Sequence, residues 1–264
     1  MARSRLDAAL VERGLLPSRA RAQAAVAAGL VRVNGTVVSR PAATVDAEAT
    51  LMLDAPPPFV SRGGEKLAGA LDDLDVDVAG VRALDLGAST GGFTDCLLQR
   101  GAAHVAAVDV GYGQLAWKLR GDPRVAVFER TNARAITPDA VGGPFDLMTC
   151  DLAFISVETV WPAAAACLRP DGRAVVLVKP QFEVGKGQVG SGGVVRDPEL
   201  RAAAIRRVAG AISHSAWRIA GLAESRLVGP KGNHEFFILA AGPAAAAAEV
   251  DLESAIADTL GRNG

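Results

Sequence analysis

Cysteine is scarce in this chain: Cys96, Cys150 and Cys167 are the only three in 264 residues, and each lies in an apolar context without paired spacing. That pattern excludes a disulfide framework and a cysteine-ligated zinc site, so all three are expected to be buried thiols. Histidine is as rare. His234 stands directly before Glu235, but no partner histidine lies at a metal-ligand spacing, and no metal is expected. Also missing is any apolar run near the ~18 residues that a membrane-spanning helix needs. The N-terminus lacks the apolar core of a secretory signal, so a cytoplasmic protein without a membrane segment is expected. A strong excess of one charge is absent too, because the formal net charge is −1.

What is present is an apolar half and 22% charged residues, enough to bury a full core and leave room for a second small module. The net charge conceals a split. Residues 1–60 carry seven Arg/Lys against five Asp/Glu, and the remainder carries twenty-one against twenty-four, so the N-terminal part is modestly basic.

Between residues 5 and 30 the apolar residues recur at helical spacing, first Leu6, Leu10, Val11 and Leu15, then Ala22, Ala25 and Val26. Two short helices are predicted, with Gly14 closing the first, Ser18 opening the second and Gly29 ending it. Asn34-Gly35 then separates two β-branched runs between Val31 and Val38, a strong hairpin signal.

Ser18-Arg19, Ala22, Gly29, Val31, Val33-Asn34-Gly35 and Arg40-Pro41 together resemble the S-four RNA-binding domain. The resemblance implies that the helical face and hairpin hold structured RNA, with Arg3, Arg5, Arg19 and Arg40 as phosphate contacts that position the RNA without reading its sequence. The alternative for each arginine is a solvated helix face. The proline run at 56–58 then reads as a stiff linker over 56–62, between an S-four-like domain at 1–55 and a second domain at 63–264.

After the linker, strand and helix patterns alternate: strands over 81–85, 104–110, 125–129, 146–150 and 173–179, with helices ending near 100 and 168 and a short one between the second and third strands. This α/β alternation predicts a mainly parallel sheet covered on both faces, with ligands bound beyond the carboxyl ends of its strands. Amphipathic helices are predicted over 201–213 and, rich in alanine, over 244–260.

The first strand runs into Asp85-Leu86-Gly87-Ala88-Ser89-Thr90-Gly91-Gly92-Phe93-Thr94. Glycines there let a backbone approach a ligand before a helix begins. The spacing is Gly-x-Ser-x-Gly-Gly, unlike the dinucleotide fingerprint, and Asp85 would repel a pyrophosphate while suiting the cationic amino-acid group of S-adenosyl-L-methionine. Asp109, 24 residues after Asp85, closes the next strand where a carboxylate accepts from ribose hydroxyls; Asn132 follows the third strand and is a candidate for the adenine edge.

Four charged residues occupy element ends: Lys66, Asp151, Lys179 and Glu235. Asp151 and Lys179 follow strands that, as parallel neighbours, would point both side chains to the ligand edge, and an antiparallel strand over 236–239 would start Glu235 at the same edge. The set resembles the Lys-Asp-Lys-Glu tetrad of FtsJ-like RNA ribose methyltransferases over about residues 60–240, and the resemblance alone places Lys66 with the other three. Together with the N-terminal domain and the segments 60–67 and 179–183, the whole chain is similar to the TlyA family of ribosomal RNA cytidine 2'-O-methyltransferases, whose members are also called hemolysins. One departure is Lys231, where a small polar residue is expected.

That resemblance implies a Rossmann-like class I methyltransferase domain with a mainly parallel seven-stranded sheet, preceded by a small α+β S-four domain. It also implies S-adenosyl-L-methionine as cofactor and ribosomal RNA or ribosomal subunits as partner. Within it Lys179 is the candidate base, Asp151 and Glu235 orient the lysines and the hydroxyl, and Lys66 positions the ribose and stabilises charge on its oxygen. Lys66 and a sulfonium would depress the pKa of Lys179 while the two carboxylates would raise it, which leaves the sign of the shift open at the level of sequence. Arg130, Arg134 and Lys186 are candidate contacts for flanking phosphates, with solvated surface as the alternative. The glycine-rich stretch 185–193 reads as a segment that orders on RNA. Competing readings are a membrane-lytic protein, an RNA-binding assembly factor without turnover and a small-molecule O-methyltransferase; the first lacks an amphipathic membrane segment and the last is opposed by the N-terminal domain.

Overall fold

The computed structural model describes residues 3–185 and 187–261, so Lys186 lies outside the described residues. The chain divides into two compact units, Met1–Pro57 and Pro58–Gly264.

The first unit is built from β1 (Arg3–Arg5), α1 (Leu6–Glu12), α2 (Arg19–Ala27), β2 (Val31–Val33), β3 (Thr36–Val37), β4 (Thr44–Asp46) and β5 (Leu51–Leu53). Ser18 caps α2 by accepting the Arg21 N–H at 3.3 Å, and Gly14 and Gly29 hold positive φ just past each helix. Asn34 and Gly35 both hold positive φ, as a tight turn between right-twisted strands requires. The apolar stripes meet inside, with Leu6, Leu10, Ala22, Val26 and Val31 fully buried. The strands β1, β4 and β5 have no counterpart in the sequence prediction, because runs of three residues show no usable alternation.

The second unit contains α3 (Arg62–Asp73), β6 (Arg82–Leu86), α4 (Gly92–Gln99), β7 (His104–Val108), α5 (Trp117–Arg120), β8 (Val125–Phe128), α6 (Pro138–Val141), β9 (Phe145–Cys150), α7 (Val157–Ala166), β10 (Leu168–Val178), α8 (Pro180–Glu183), α9 (Pro198–Ser213), β11 (Arg218–Glu224), β12 (Phe236–Ala241) and α10 (Leu252–Gly261). Its seven-stranded sheet runs β11-β12-β10-β9-β6-β7-β8, a Rossmann-like order in which β12 alone is antiparallel to both neighbours and the other pairings are parallel. One apolar layer lies on each face. The order reverses between β6 and β9, the switch point where open α/β sheets bind ligands.

Several boundaries depart from expectation, among them the start of β10 at Leu168 and the end of β7 at Val108, and three departures have a clear physical cause. Phe59 and Val60, inside the predicted spacer, pack on the core under α3, and the Val60 N–H donates to Asp95 Oδ2 at 2.8 Å. A proline run signals stiffness, but the apolar pair behind it has a socket to fill. The alanine-rich stretch from 244 is not helical until Leu252. Its amides are used elsewhere, Ala244 N–H on Pro170 O and Val250 N–H on Ile219 O, both at 2.9 Å, which overrides alanine's helix propensity. Helix α9 starts three residues early, at Pro198, because Asp197 caps it by accepting the Glu199 N–H at 2.9 Å.

Candidate active site

The parallel register sets the site. Leu86 pairs with Cys150 and Val176 with Cys150, while Val178 lies opposite Phe236 in the antiparallel pair. The residues just beyond these strand ends, Gly87, Asp151 and Lys179, therefore share one edge, and Glu235 enters it from the start of β12. The four charged side chains Lys66, Asp151, Lys179 and Glu235 line a single cavity of about 270 Å³, together with Gly87, Ser89, Gly92, Phe93, Ser61 and Arg62. Phe93 is buried and packs against Phe237 with ring centroids 6.1 Å apart.

The tetrad resolves into two ion pairs of different character. Lys66 Nζ, on α3, donates to Glu235 Oε2 at 2.5 Å, and both side chains are buried. Lys179 Nζ pairs with Asp151 Oδ1 at the rim, where both side chains keep some exposure. A buried pair costs desolvation that its attraction only partly repays, so it is better understood as a fixed geometry than as a source of stability. Glu235 Oε1 has no hydrogen-bond partner among the described residues. It faces Gly229, where an added Cβ would overlap it, so only glycine lets that loop close over the carboxylate.

A second cavity of about 620 Å³ shares Gly87, Ser89, Asp151 and Lys179 with the first and extends along Val108, Asp109, Gln114, Asn132 and Phe154. Its size falls within the roughly 300–1,000 Å³ of small-molecule sites. Asp109 accepts the Ser89 N–H at 2.8 Å and the Gly111 N–H at 2.6 Å, so it anchors the glycine loop while each oxygen keeps a lone pair. Asn132 caps a turn by accepting the Arg134 N–H at 3.0 Å, and Arg134 also lines this cavity. Arg130 instead stacks over the Tyr112 ring at 4.3 Å.

Two loop residues stand apart from the cavities. Asp85 is fully buried beneath the loop, where Thr94 Oγ1 donates to it at 2.6 Å and Thr149 Oγ1 at 3.1 Å, so its carboxylate is spent inside the protein. Position in the motif announces Asp85, but its threonine partners come from α4 and β9 and leave no local sequence mark. Gly91 lies against Leu115 and Leu119 and serves packing of the loop on the segment that follows β7.

Burial raises the Asp85 pKa to about 6, against the two threonine hydrogen bonds that lower it. The unfolded carboxyl ionises near pH 3.9, so between there and about pH 6 the folded state binds more protons and stability falls as pH rises. The cost at neutral pH is on the order of 3 kcal/mol at about 1.4 kcal/mol per pKa unit. Asp85→Asn removes the charge and keeps donors and acceptors for both hydroxyls. The difference in unfolding free energy between variant and parent should move in the variant's favour by that amount from pH 4 to pH 7. Urea titrations at several pH values check this, and a flat difference curve would contradict it.

In the N-terminal unit Arg3 pairs with Asp46 at 2.8 Å, Arg5 with the buried Asp7 at 2.8 Å, and Arg19 approaches Asp7 at 3.5 Å. The Arg5 guanidinium and Gln23 hold the Asp7 carboxyl well below the usual range. Arg40 is exposed. Residues that sequence reasoning passed over are Ser61 and Arg62 in the cavity wall, Phe154, which is 89% exposed and tilts against Phe182 at 5.0 Å, and Gly229 and Asn233 in the loop before Glu235.

Comparison with known proteins agrees with this geometry. The FtsJ-like methyltransferase family matches residues 59–241, and the S4 domain matches residues 4–51. The chain is 56% identical, over 89% of each chain, to the 16S/23S rRNA (cytidine-2'-O)-methyltransferase TlyA of Mycobacterium tuberculosis. It is 37% identical to Hemolysin A of Brachyspira hyodysenteriae, over 88% of this chain and 97% of that one. Among solved structures, a candidate hemolysin from Streptococcus thermophilus superposes with a TM-score of 0.74 at 37% identity, covering 99% of this chain and 96% of the other. With an S4 domain in front of an FtsJ-like catalytic unit and this similarity along nearly its whole length, the chain belongs to the TlyA family of methyltransferases.

Proposed function

We propose that the protein transfers the methyl group of S-adenosyl-L-methionine to the ribose 2'-hydroxyl of a cytidine in ribosomal RNA. The observation that carries this reading is the junction of the two cavities at Gly87, Asp151 and Lys179, with the tetrad on one side and Asp109 on the other. The larger cavity suits the cofactor: Asp109 offers lone pairs to the ribose hydroxyls, and Asn132, which lines the same cavity, is the candidate partner for the adenine edge. When bound, the cofactor supplies an electrophilic methyl on a sulfonium.

A ribose hydroxyl is a weak nucleophile, so its proton must leave as the oxygen–carbon bond forms and the carbon–sulfur bond breaks, with the electron pair returning to sulfur. To receive that proton Lys179 Nζ must first be the neutral amine, its own proton released to solvent, and Asp151 then holds the ammonium so formed. Lys66, fixed by Glu235, presents a positive charge to the developing oxyanion without moving. Arg3, Arg5, Arg19 and Arg40 on the S4 domain and Arg130 and Arg134 near the mouth supply phosphate contacts, and the first three would exchange carboxylate partners for phosphate ones. Exposed Phe154 offers an aromatic face to the base of the target nucleotide.

The hemolysin label of some relatives carries little weight against this site, since no helix among the described residues is long and apolar enough to cross a membrane. Mass-spectrometric mapping of ribosomal RNA from cells with and without the protein should show a cytidine ribose methyl group that depends on it. Identical maps would refute the function and favour an assembly factor without turnover.

A further inference from the structure

The loop that leads into Glu235 and the segment that follows α8 are irregular, and one buried amide joins them. Asn233 is 3% exposed. Its Oδ1 accepts the Val195 N–H at 3.1 Å and its Nδ2 donates to the Gly193 carbonyl at 2.8 Å. Among the described residues, these two hydrogen bonds are the ones that cross between residues 187–195 and the loop 225–235. The same residue shapes its own loop: its carbonyl accepts the Gly229 N–H at 2.7 Å, closing the turn that lays Gly229 against Glu235 Oε1. Asn233 thus holds the glycine-rich segment with its side chain and the cover of Glu235 with its backbone.

A positive charge stands at this junction. Lys231 is exposed, and its Nζ lies 3.8 Å from where a Cβ on Gly193 would be. Its backbone is left-handed, at φ 64°, a conformation that side chains rarely adopt and that the surrounding loop must impose. A phosphate drawn to Lys231 would touch the two segments that the amide ties together.

We propose that Asn233 is a positioning residue that couples the engagement of residues 187–195 by RNA to the placement of Glu235 against Lys66. The idea rests on the methyltransferase reading above. A buried amide with both polar atoms satisfied fixes two loops in one arrangement, whereas an apolar residue of similar size would fill the space without specifying register. Glu235 follows two residues later, so loss of the link frees the turn over Oε1 and loosens the Lys66 ion pair, while the cofactor cavity, which neither segment lines, stays as it is.

Hydrogen exchange on the full-length protein, with and without ribosomal subunits from cells lacking it, tests the coupling. In the parent, subunits should slow exchange in 187–195 and in 228–236 together. In Asn233→Ala the first segment should stay protected and the second should not. Turnover of that variant should fall by about a hundredfold, the scale of a small misplacement at a reacting centre, with the cofactor KM nearly unchanged. Asn233→Asp keeps the acceptor for Val195 and loses the donor to Gly193, and it should fall between parent and alanine variant. Protection of one parent segment without the other would overturn the proposal, as would parental turnover in either variant. If Asn233→Ala does not fold, the parent exchange and Asn233→Asp decide. Paired protection in a parent that methylates no subunit would instead strike the methyltransferase reading and leave the coupling standing.

Discussion

Lys179→Ala is expected to lower methyl transfer by about a thousandfold, in the middle of the 10²–10⁴ range that positioned proton-transfer groups contribute, while cofactor affinity stays close to that of the parent. Lys179 stands at the seam of the two cavities, and its amine pairs with Asp151. Removing it leaves Asp151 partly exposed, which water can solvate, so the fold loses little. The cofactor contacts assigned to Asp109 and the loop backbone are separate from this pair. Tritium transfer from labelled cofactor to ribosomal subunits measures the first quantity and calorimetric titration the second. Parental turnover would remove Lys179 from the mechanism, and a matching loss of cofactor affinity would reassign it to the donor pocket.

The contrast between Lys179 and Lys66 shows how far sequence reasoning reached. Strand ends are legible in the sequence pattern, so the meeting of Asp151, Lys179 and Glu235 at one edge was foreseeable once the first two strands were taken as parallel neighbours and the last as antiparallel, the arrangement that the pairing shows. Lys66 sits on a helix before the first strand of the sheet, and periodicity contains nothing about where that helix docks. The partition into a buried pair and a partly exposed one was also invisible, because it depends on the Gly229 turn lying over Glu235 while the Lys179 and Asp151 side chains keep 15% and 24% exposure. Asp85 is the reverse case. Its place beside the glycine loop suggested direct contact with the cofactor, and the structure turns it inward to two threonines that are 9 and 64 residues away in the chain. Local spacing locates a residue along a strand; which face of the loop its side chain meets is decided by tertiary partners.

The glycine loop provides the second large effect, and it separates donor binding from chemistry. Gly87 holds φ of 85°, and a Cβ placed there would overlap the carbonyl oxygen of Asp151. Neither side can yield easily. The Asp151 N–H donates to Leu86 O at 2.9 Å, and Gly87 and Ala88 both donate to Val108 O at 2.9 and 3.1 Å, so the loop is clamped to β9 and β7 at once. Gly87→Ala therefore incurs a left-handed backbone penalty and a main-chain clash, about 2–5 kcal/mol together, and a Tm lower by roughly 10 °C at this size. The displacement opens the floor shared by both cavities, so cofactor affinity should fall by at least about a hundredfold, beyond what loss of one hydrogen bond explains. Lys179→Ala binds donor without transfer; Gly87→Ala, still folded at 20 °C, should fail at binding. Calorimetry on the two variants side by side decides, and normal donor binding by Gly87→Ala would mean that the cofactor does not lie against this turn.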